Sequence, residues 1–191
     1  INHEQALLNL DREVRGRSFA EVSAAAKKVW DEQMGRIKVE GGTEEQQKTF
    51  YSCLYRTLLF PREFYEFDKN EAPVYYSPYD GQIHNGYMYT DNGFWDTFRA
   101  VHPLFTLVYP EVSERIMQSI VNAYSESGFM PEWASPGHRG CMIGNNSISL
   151  LTDAWMKGIR TFDKDKALEA MLNQTRARSE EISSVGRDGY A

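Results

Sequence analysis

Two stretches of this 191-residue chain alternate apolar and polar positions at helical spacing behind clear start signals. Ser18-Phe19-Ala20-Glu21 has the form of a capping box, in which the serine accepts from the third backbone N–H and the glutamate reaches back. Behind it Val22, Ala25, Ala26, Val29 and Trp30 recur on one face and predict a helix over 19–37. Thr43-Glu44-Glu45-Gln46 repeats the signal after the Gly41-Gly42 break, and Phe50, Cys53, Leu54, Thr57 and Leu58 carry the next helix to a stop before Pro61. Residues 62–93 lose that period. They hold Pro73, Pro78, Gly81, Gly86 and six tyrosines, and predict a long irregular excursion with one short hairpin, 74–76 against 87–89. Helical spacing returns over 95–107, where Pro103 predicts a kink. A helix over 110–128 follows, opened by Pro110 and closed by Gly128. After a second irregular loop, 129–146, helices are predicted over 147–157 and 163–178, and 185–191 reads as loop.

Six helices joined by alternating short turns and long loops predict a mainly α fold. Stacked helical hairpins gather their long loops at one mouth, and the absence of strand–helix alternation excludes a parallel sheet. Composition narrows the function. A net charge of −6 with no run of basic residues argues against nucleic-acid binding. No segment approaches the ~18 consecutive apolar residues of a membrane span. Cys53 and Cys141 are too few for a disulfide framework and lack zinc-site spacing; a single bridge is open to them, and two buried free thiols are the favoured expectation.

Aromatic residues make up 13% of the chain, and two segments concentrate them beside charge. In Asp91-Asn92-Gly93-Phe94-Trp95-Asp96-Thr97-Phe98-Arg99, aromatic platforms flank a carboxylate and a guanidinium. Pyranose rings stack on such faces and bond their hydroxyls to such charges. Trp95, Asp96 and Arg99 are therefore the primary candidates for a sugar site, with Phe94 beside them. The competing account is structural: Asp91 or Asn92 caps the helix and Asp96 favours its dipole. The second segment, 131–144, contributes Glu132, Trp133, His138 and Arg139. Glu132 beside Trp133 has the setting of a general acid, and paired with Asp96 it would supply the two carboxyl groups of a glycosidase. Its alternative is a buried glutamate bonded to loop backbone or to Arg139; His138 and Arg139 likewise either meet a ligand or brace their loop. His102 reads as a core residue. No metal motif occurs, and Asp68, Asp80 and Asp91 read as solvated loop positions.

These segments resemble glycoside hydrolase family 92, the calcium-dependent exo-α-mannosidases. The resemblance is carried by 35–43, 50–59, 94–107, Met130-Pro131-Glu132-Trp133, Cys141-Met142-Ile143-Gly144-Asn145 and 153–158, in order along nearly the whole chain. It implies a piece of an (α/α) toroid catalytic domain, with an N-terminal β-sandwich and the rest of the toroid outside 1–191. It implies a secreted or periplasmic enzyme that removes terminal α-mannose from glycan substrates with inversion, assisted by calcium. Asp96 matches the family's aspartate that contacts the terminal mannose, with Trp95 and Arg99 as supports. The family's acid, base and calcium segments have no match here, so catalytic and metal residues are expected beyond Ala191, Glu132 becomes loop architecture near the sugar, and the isolated chain is expected to be inactive. Asn146 stands where the family often has histidine. Two other readings are kept beside this one: another (α/α) toroid glycosidase, trehalase-like or glucosidase-like, and a non-catalytic carbohydrate-binding helical module.

Overall fold

The computed structural model describes residues 1–176. Three helices open the chain: α1 (His3–Glu13), α2 (Phe19–Met34) and α3 (Glu44–Thr57). Both capping boxes form. Glu21 N–H donates to Ser18 Oγ at 3.3 Å and Ser18 N–H to Glu21 Oε2 at 2.7 Å; the Thr43–Gln46 pair repeats this at 3.2 and 2.8 Å. Helix α1 was not anticipated, although Asn2 caps it by accepting from Gln5 N–H at 2.8 Å.

Short strands follow: β1 (Arg62–Glu63), β2 (Glu66–Phe67), β3 (Pro73–Tyr76), β4 (Ile83–Asn85), β5 (Tyr89–Thr90) and β6 (Asn92–Gly93). The expected hairpin has a different partner. β3 pairs with β4, Tyr75 opposite His84, while β5 pairs with β1. The nearer partner wins because residues 77–82 close a tight turn: Ser77 N–H donates to Gln82 O at 2.7 Å, and Gly81 takes a positive φ of 72°.

The expected kinked helix over 95–107 is two helices, α4 (Phe94–Thr97) and α5 (Val101–Val108). Pro103 bends nothing. It sits in the first turn of α5, where backbone N–H groups have no intrahelical acceptor to lose. α6 (Pro110–Ser127) begins and ends as anticipated, with Gly128 left-handed at φ 81°. Then come β7 (Trp133–Ala134), α7 (Asn146–Met156) and α8 (Lys164–Arg176), the last capped by Asp163 through Lys166 N–H at 3.0 Å. The expectation for 185–191 lies outside the described residues.

The core is built round α6. Ile116, Met117, Ile120, Val121 and Tyr124 pack against Phe105 and Tyr109 of the α5 side, Leu150, Leu151 and Ala154 of α7, and Ala167 and Ala170 of α8. Each large side chain sealed there stabilises by about 1.5–3 kcal/mol. The N-terminal helices contrast sharply: α2 buries no residue, and Val29 is 56% and Phe19 90% exposed. Point contacts hold α2 in place. Tyr109 Oη donates to Gln33 O at 3.0 Å, Arg36 donates to Val108 O at 3.1 Å and pairs with Glu111, and Trp30 packs on Tyr55 at 4.6 Å. Cys53 and Cys141 are free thiols, as favoured, but both are exposed. Cys53 falls on an α3 flank that no described element covers, and Cys141 in the irregular loop before α7. No helix among the described residues is long and apolar enough to cross a membrane.

Candidate functional site

The two aromatic-rich segments, about forty residues apart, are sewn together by backbone hydrogen bonds. β6 pairs antiparallel with β7, Asn92 opposite Ala134 and Gly93 opposite Trp133, and Phe94 N–H donates to Glu132 O at 3.0 Å. Gly93 matters here for its missing side chain. A Cβ at that position would lie 2.8 Å from Asp96 Oδ2 and 3.0 and 3.1 Å from Cε3 and Cζ3 of Trp133. The carboxylate of Asp96 and the indole of Trp133 therefore converge over a bare backbone. Asp96 and Trp95 are both exposed. Neither Asp91 nor Asn92 caps α4, whose N-cap is Gly93 without a side-chain bond.

Arg99 is held rather than loose. Its guanidinium carbon lies 4.2 Å from the Trp95 ring centroid and 4.7 Å from that of Phe98, and Nη1 donates to Trp95 O at 2.9 Å. Cation–π contact on two faces orients the fork. Its other N–H groups meet no acceptor among the described residues, so donors remain for a hydroxyl or an anion. Phe94 turns the other way, 4% exposed and stacked on His102 at 6.3 Å. It belongs to the core and offers no platform to a ligand.

Glu132 is also turned inward. Alternation along β7 sends Glu132 and Ala134 to the buried side, 0% and 2% exposed, and leaves Trp133 half-buried on the other. Glu132 Oε2 accepts from Asn146 N–H at 2.8 Å and from Asn146 Nδ2 at 3.3 Å, and Oε1 accepts from Ser147 Oγ at 3.1 Å. The carboxylate thus caps the N-terminus of α7, where the helix dipole favours negative charge. Sealed from solvent, it is no general acid in this arrangement; the backbone-bonded alternative holds, with the helix N-terminus as partner rather than Arg139. Asn146 serves the same junction.

His138 and Arg139 brace their loop. His138 Nε2 meets Ser127 Oγ at 2.7 Å and its ring packs on Tyr79 at 4.8 Å; Arg139 Nε donates to Ser135 O at 2.7 Å. Asp91, read from sequence as a solvated loop residue, joins them. It accepts from Ser135 Oγ at 2.9 Å and lies 3.4 Å from Arg62 Nη1, in a left-handed conformation at φ 56°. The Asp91-Asn92-Gly93 run signals a turn of this kind; nothing in the sequence signals the involvement of Arg62.

His102 sits beneath β6, 2% exposed, with Asn92 Nδ2 3.0 Å from its Nε2. The amide donates to an unprotonated ring nitrogen, and burial pulls the imidazole pKa down to about 4. Nδ1 has no hydrogen-bond partner among the described residues, which leaves this core histidine half satisfied. A folded pKa below the unfolded value near 6.5 contributes stability that is complete above pH 6.5 and is lost as pH falls towards 4, up to roughly 3 kcal/mol. His102→Gln should flatten that dependence; unfolding curves of wild type and variant between pH 7 and 4.5 measure it, and parallel profiles would remove the histidine from the account.

Cavities of about 740 and 560 Å³ lie elsewhere, the first lined by Trp30, Arg36, Arg62, Tyr89 and Arg115, the second by α3 residues such as Gln47 and Tyr51. Neither includes Trp95, Asp96 or Trp133, which form an open wall and not a closed pocket. Calcium takes six to eight oxygen ligands. Asp80, His84 and Glu126 converge, but one of the three is an imidazole.

A mainly helical scaffold that raises a carboxylate, an indole and an oriented guanidinium on joined loops fits the catalytic domain of a helical glycoside hydrolase. The chain belongs to glycoside hydrolase family 92: the model of the glycosyl hydrolase family 92 catalytic domain matches residues 5–191. Among solved structures it is similar to a family 92 inverting mannosidase from Bacteroides thetaiotaomicron, at 72% identity and a TM-score of 0.95, over 99% of this chain and 26% of that one. A family 92 α-mannosidase from the same organism, solved with mannoimidazole, matches at 30% identity and a TM-score of 0.83 over 92% of this chain and 23% of the other. An uncharacterized secreted glycosidase of Arthroderma benhamiae is 25% identical over 195 residues, 99% of this chain and 21% of that protein. The chain thus spans about a quarter of the solved mannosidases and about a fifth of the fungal protein.

Proposed function

We propose that the polypeptide containing this chain removes terminal α-linked mannose from glycans with inversion, and that this chain forms one wall of the pocket for the terminal sugar. The observation that carries the reading is the convergence of the Asp96 carboxylate and the Trp133 indole over Gly93, on an open face beside Trp95 and Arg99. Support comes from the similarity to the inverting mannosidase. In this reading Asp96 accepts hydrogen bonds from sugar hydroxyls, an indole covers the apolar ring face, and Arg99 donates to an oxygen at the rim. Inversion needs an acid and a water-activating base far enough apart to admit water. Glu132 is sealed from solvent, so in this reading both come from the remainder of the polypeptide.

Calcium is part of the proposal for the whole enzyme, with ligands outside this chain. Secretion or periplasmic residence is proposed on the same basis, with the secreted fungal relative in support.

The test is hydrolysis of aryl α-mannosides by the whole protein, followed by proton NMR of the anomer first released. β-Mannose released before mutarotation, and loss of activity in a calcium chelator, are the expected results. Release of α-mannose overturns inversion. Preferential cleavage of an α-glucoside would favour the other toroid glycosidases.

Gly93→Ala probes the wall directly. The backbone there, φ −95° and ψ 112°, accepts any residue, so the new methyl acts only by displacing the Asp96 carboxylate and the Trp133 ring. A misplacement of about 1 Å in a sugar-holding group should cost about 100-fold in kcat/KM. Melting temperature should change little, and unchanged kinetics would show that these two groups do not meet the substrate.

A further inference from the structure

A second cluster lies on the β3–β4 hairpin and the last turn of α6. Asp80 comes from the hairpin turn, His84 from β4 and Glu126 from α6, and one ligand-type atom from each lies within 4.8 Å of the others. We propose that these three side chains bind a divalent transition-metal ion of the zinc class, clamping the hairpin to α6. The site is separate from the calcium expected of the family, because a ring nitrogen with two carboxylates suits zinc and not an all-oxygen calcium cage.

Three observations support it. The carboxylates are already oriented by second partners. Asp80 Oδ1 accepts from Gln82 N–H at 2.8 Å, and Glu126 accepts from Tyr75 Oη and from Ser77 Oγ, the latter at 2.6 Å. Outer partners of this sort hold ligands in place at metal sites. Next, the cluster carries two carboxylates with little to balance them. Among the described residues no lysine or arginine pairs with either, and the one cationic candidate is His84, whose Nε2 lies 2.8 Å from Asp80 Oδ2. A divalent ion held by all three would balance both carboxylates. Finally, the spacing is close to what a metal needs. Tetrahedral bonds of about 2.0–2.1 Å set ligand atoms roughly 3.3 Å apart. The Asp80–His84 contact therefore opens by only about 0.5 Å, and Glu126 moves in, with a water filling the fourth position.

The clamp has a consequence for the wall. The hairpin turn carries Tyr79, packed on His138, and the carbonyl of Pro78, which would lie 2.8 Å from a Cβ at Gly137. Fixing the turn fixes the loop that leads from Trp133 to Arg139. The metal would steady the sugar-binding face from behind without touching a substrate.

The test uses the whole protein, stripped of metal and then given one equivalent of zinc chloride before crystallisation. Anomalous scattering above and below the zinc edge separates zinc from calcium. A peak in bonding contact with His84 Nε2 is expected, and its absence overturns the proposal whatever the mannosidase activity. In solution, zinc retained after gel filtration should be about one equivalent in the wild type. It should bind at least about 100-fold more weakly in His84→Gln and in Glu126→Gln. Retention equal to wild type in both variants would assign the zinc to another site. Because the crystallographic arm needs no variant, a variant that fails to fold leaves the test intact.

Discussion

Asp96→Ala in the whole enzyme should lose about 10²–10³-fold in kcat/KM on aryl α-mannosides while melting within a degree or two of wild type. The two halves of that result have separate causes. Asp96 is exposed, forms no ion pair among the described residues and caps no helix, so its removal takes away little that holds the fold. Surface substitutions of this kind usually stay within about 0.5 kcal/mol. A carboxylate that grips sugar hydroxyls as the ring flattens contributes far more to the transition state, typically about 3–4 kcal/mol for one charged contact. Steady-state kinetics and a thermal melt on one preparation decide the matter. Full turnover removes Asp96 from the sugar site, and a collapse of the melt with the activity assigns it to the scaffold.

Glu132→Ala should behave in the opposite way. Its carboxylate is fully buried and accepts from the backbone and side chain of Asn146 and from Ser147. Truncation strands those donors, opens a cavity and uncaps α7, for a combined cost of about 3–5 kcal/mol. The expected result is a large drop in denaturation midpoint. Glu132→Gln keeps the shape and an acceptor oxygen, and its folded fraction should retain turnover within about tenfold of wild type. An acid catalyst could not tolerate that change, since the amide has no proton of suitable acidity to give. Stable, inactive Glu132→Gln would reinstate it as the acid.

The contrast between these two residues shows where sequence reasoning reaches its limit. Both carboxyl groups stand next to a tryptophan, and the chain offers no local sign of which faces the ligand. Alternation along β7 turns Glu132 inward, and β7 exists because a segment about forty residues away pairs with it. The same cause explains the hairpin. The aromatic run 87–89 has as much strand character as 83–85, and the closure of the Ser77–Gln82 turn selects the nearer partner. Pro103 suggested a kink, yet the chain had already broken at Ala100, where φ −138° and ψ −54° leave the helical region. Asp80 looked like a solvated loop position because Glu126, which completes its cluster with His84, comes from a different element of the chain.

The chain's own letters determined whatever depends on a few neighbouring residues: the capping boxes at Ser18 and Thr43, the start of α6 at Pro110 and its end at Gly128, the mainly helical class and the two aromatic segments to watch. Those features rest on backbone donors and acceptors met within a turn or two, so local order suffices. Tertiary structure decided the rest: that Asp96 and Trp133 meet over Gly93, that Glu132 and Phe94 are sealed away, and that α2 presents an uncovered face. Burial and convergence depend on what the distant chain brings alongside, and no window of neighbouring residues contains that information.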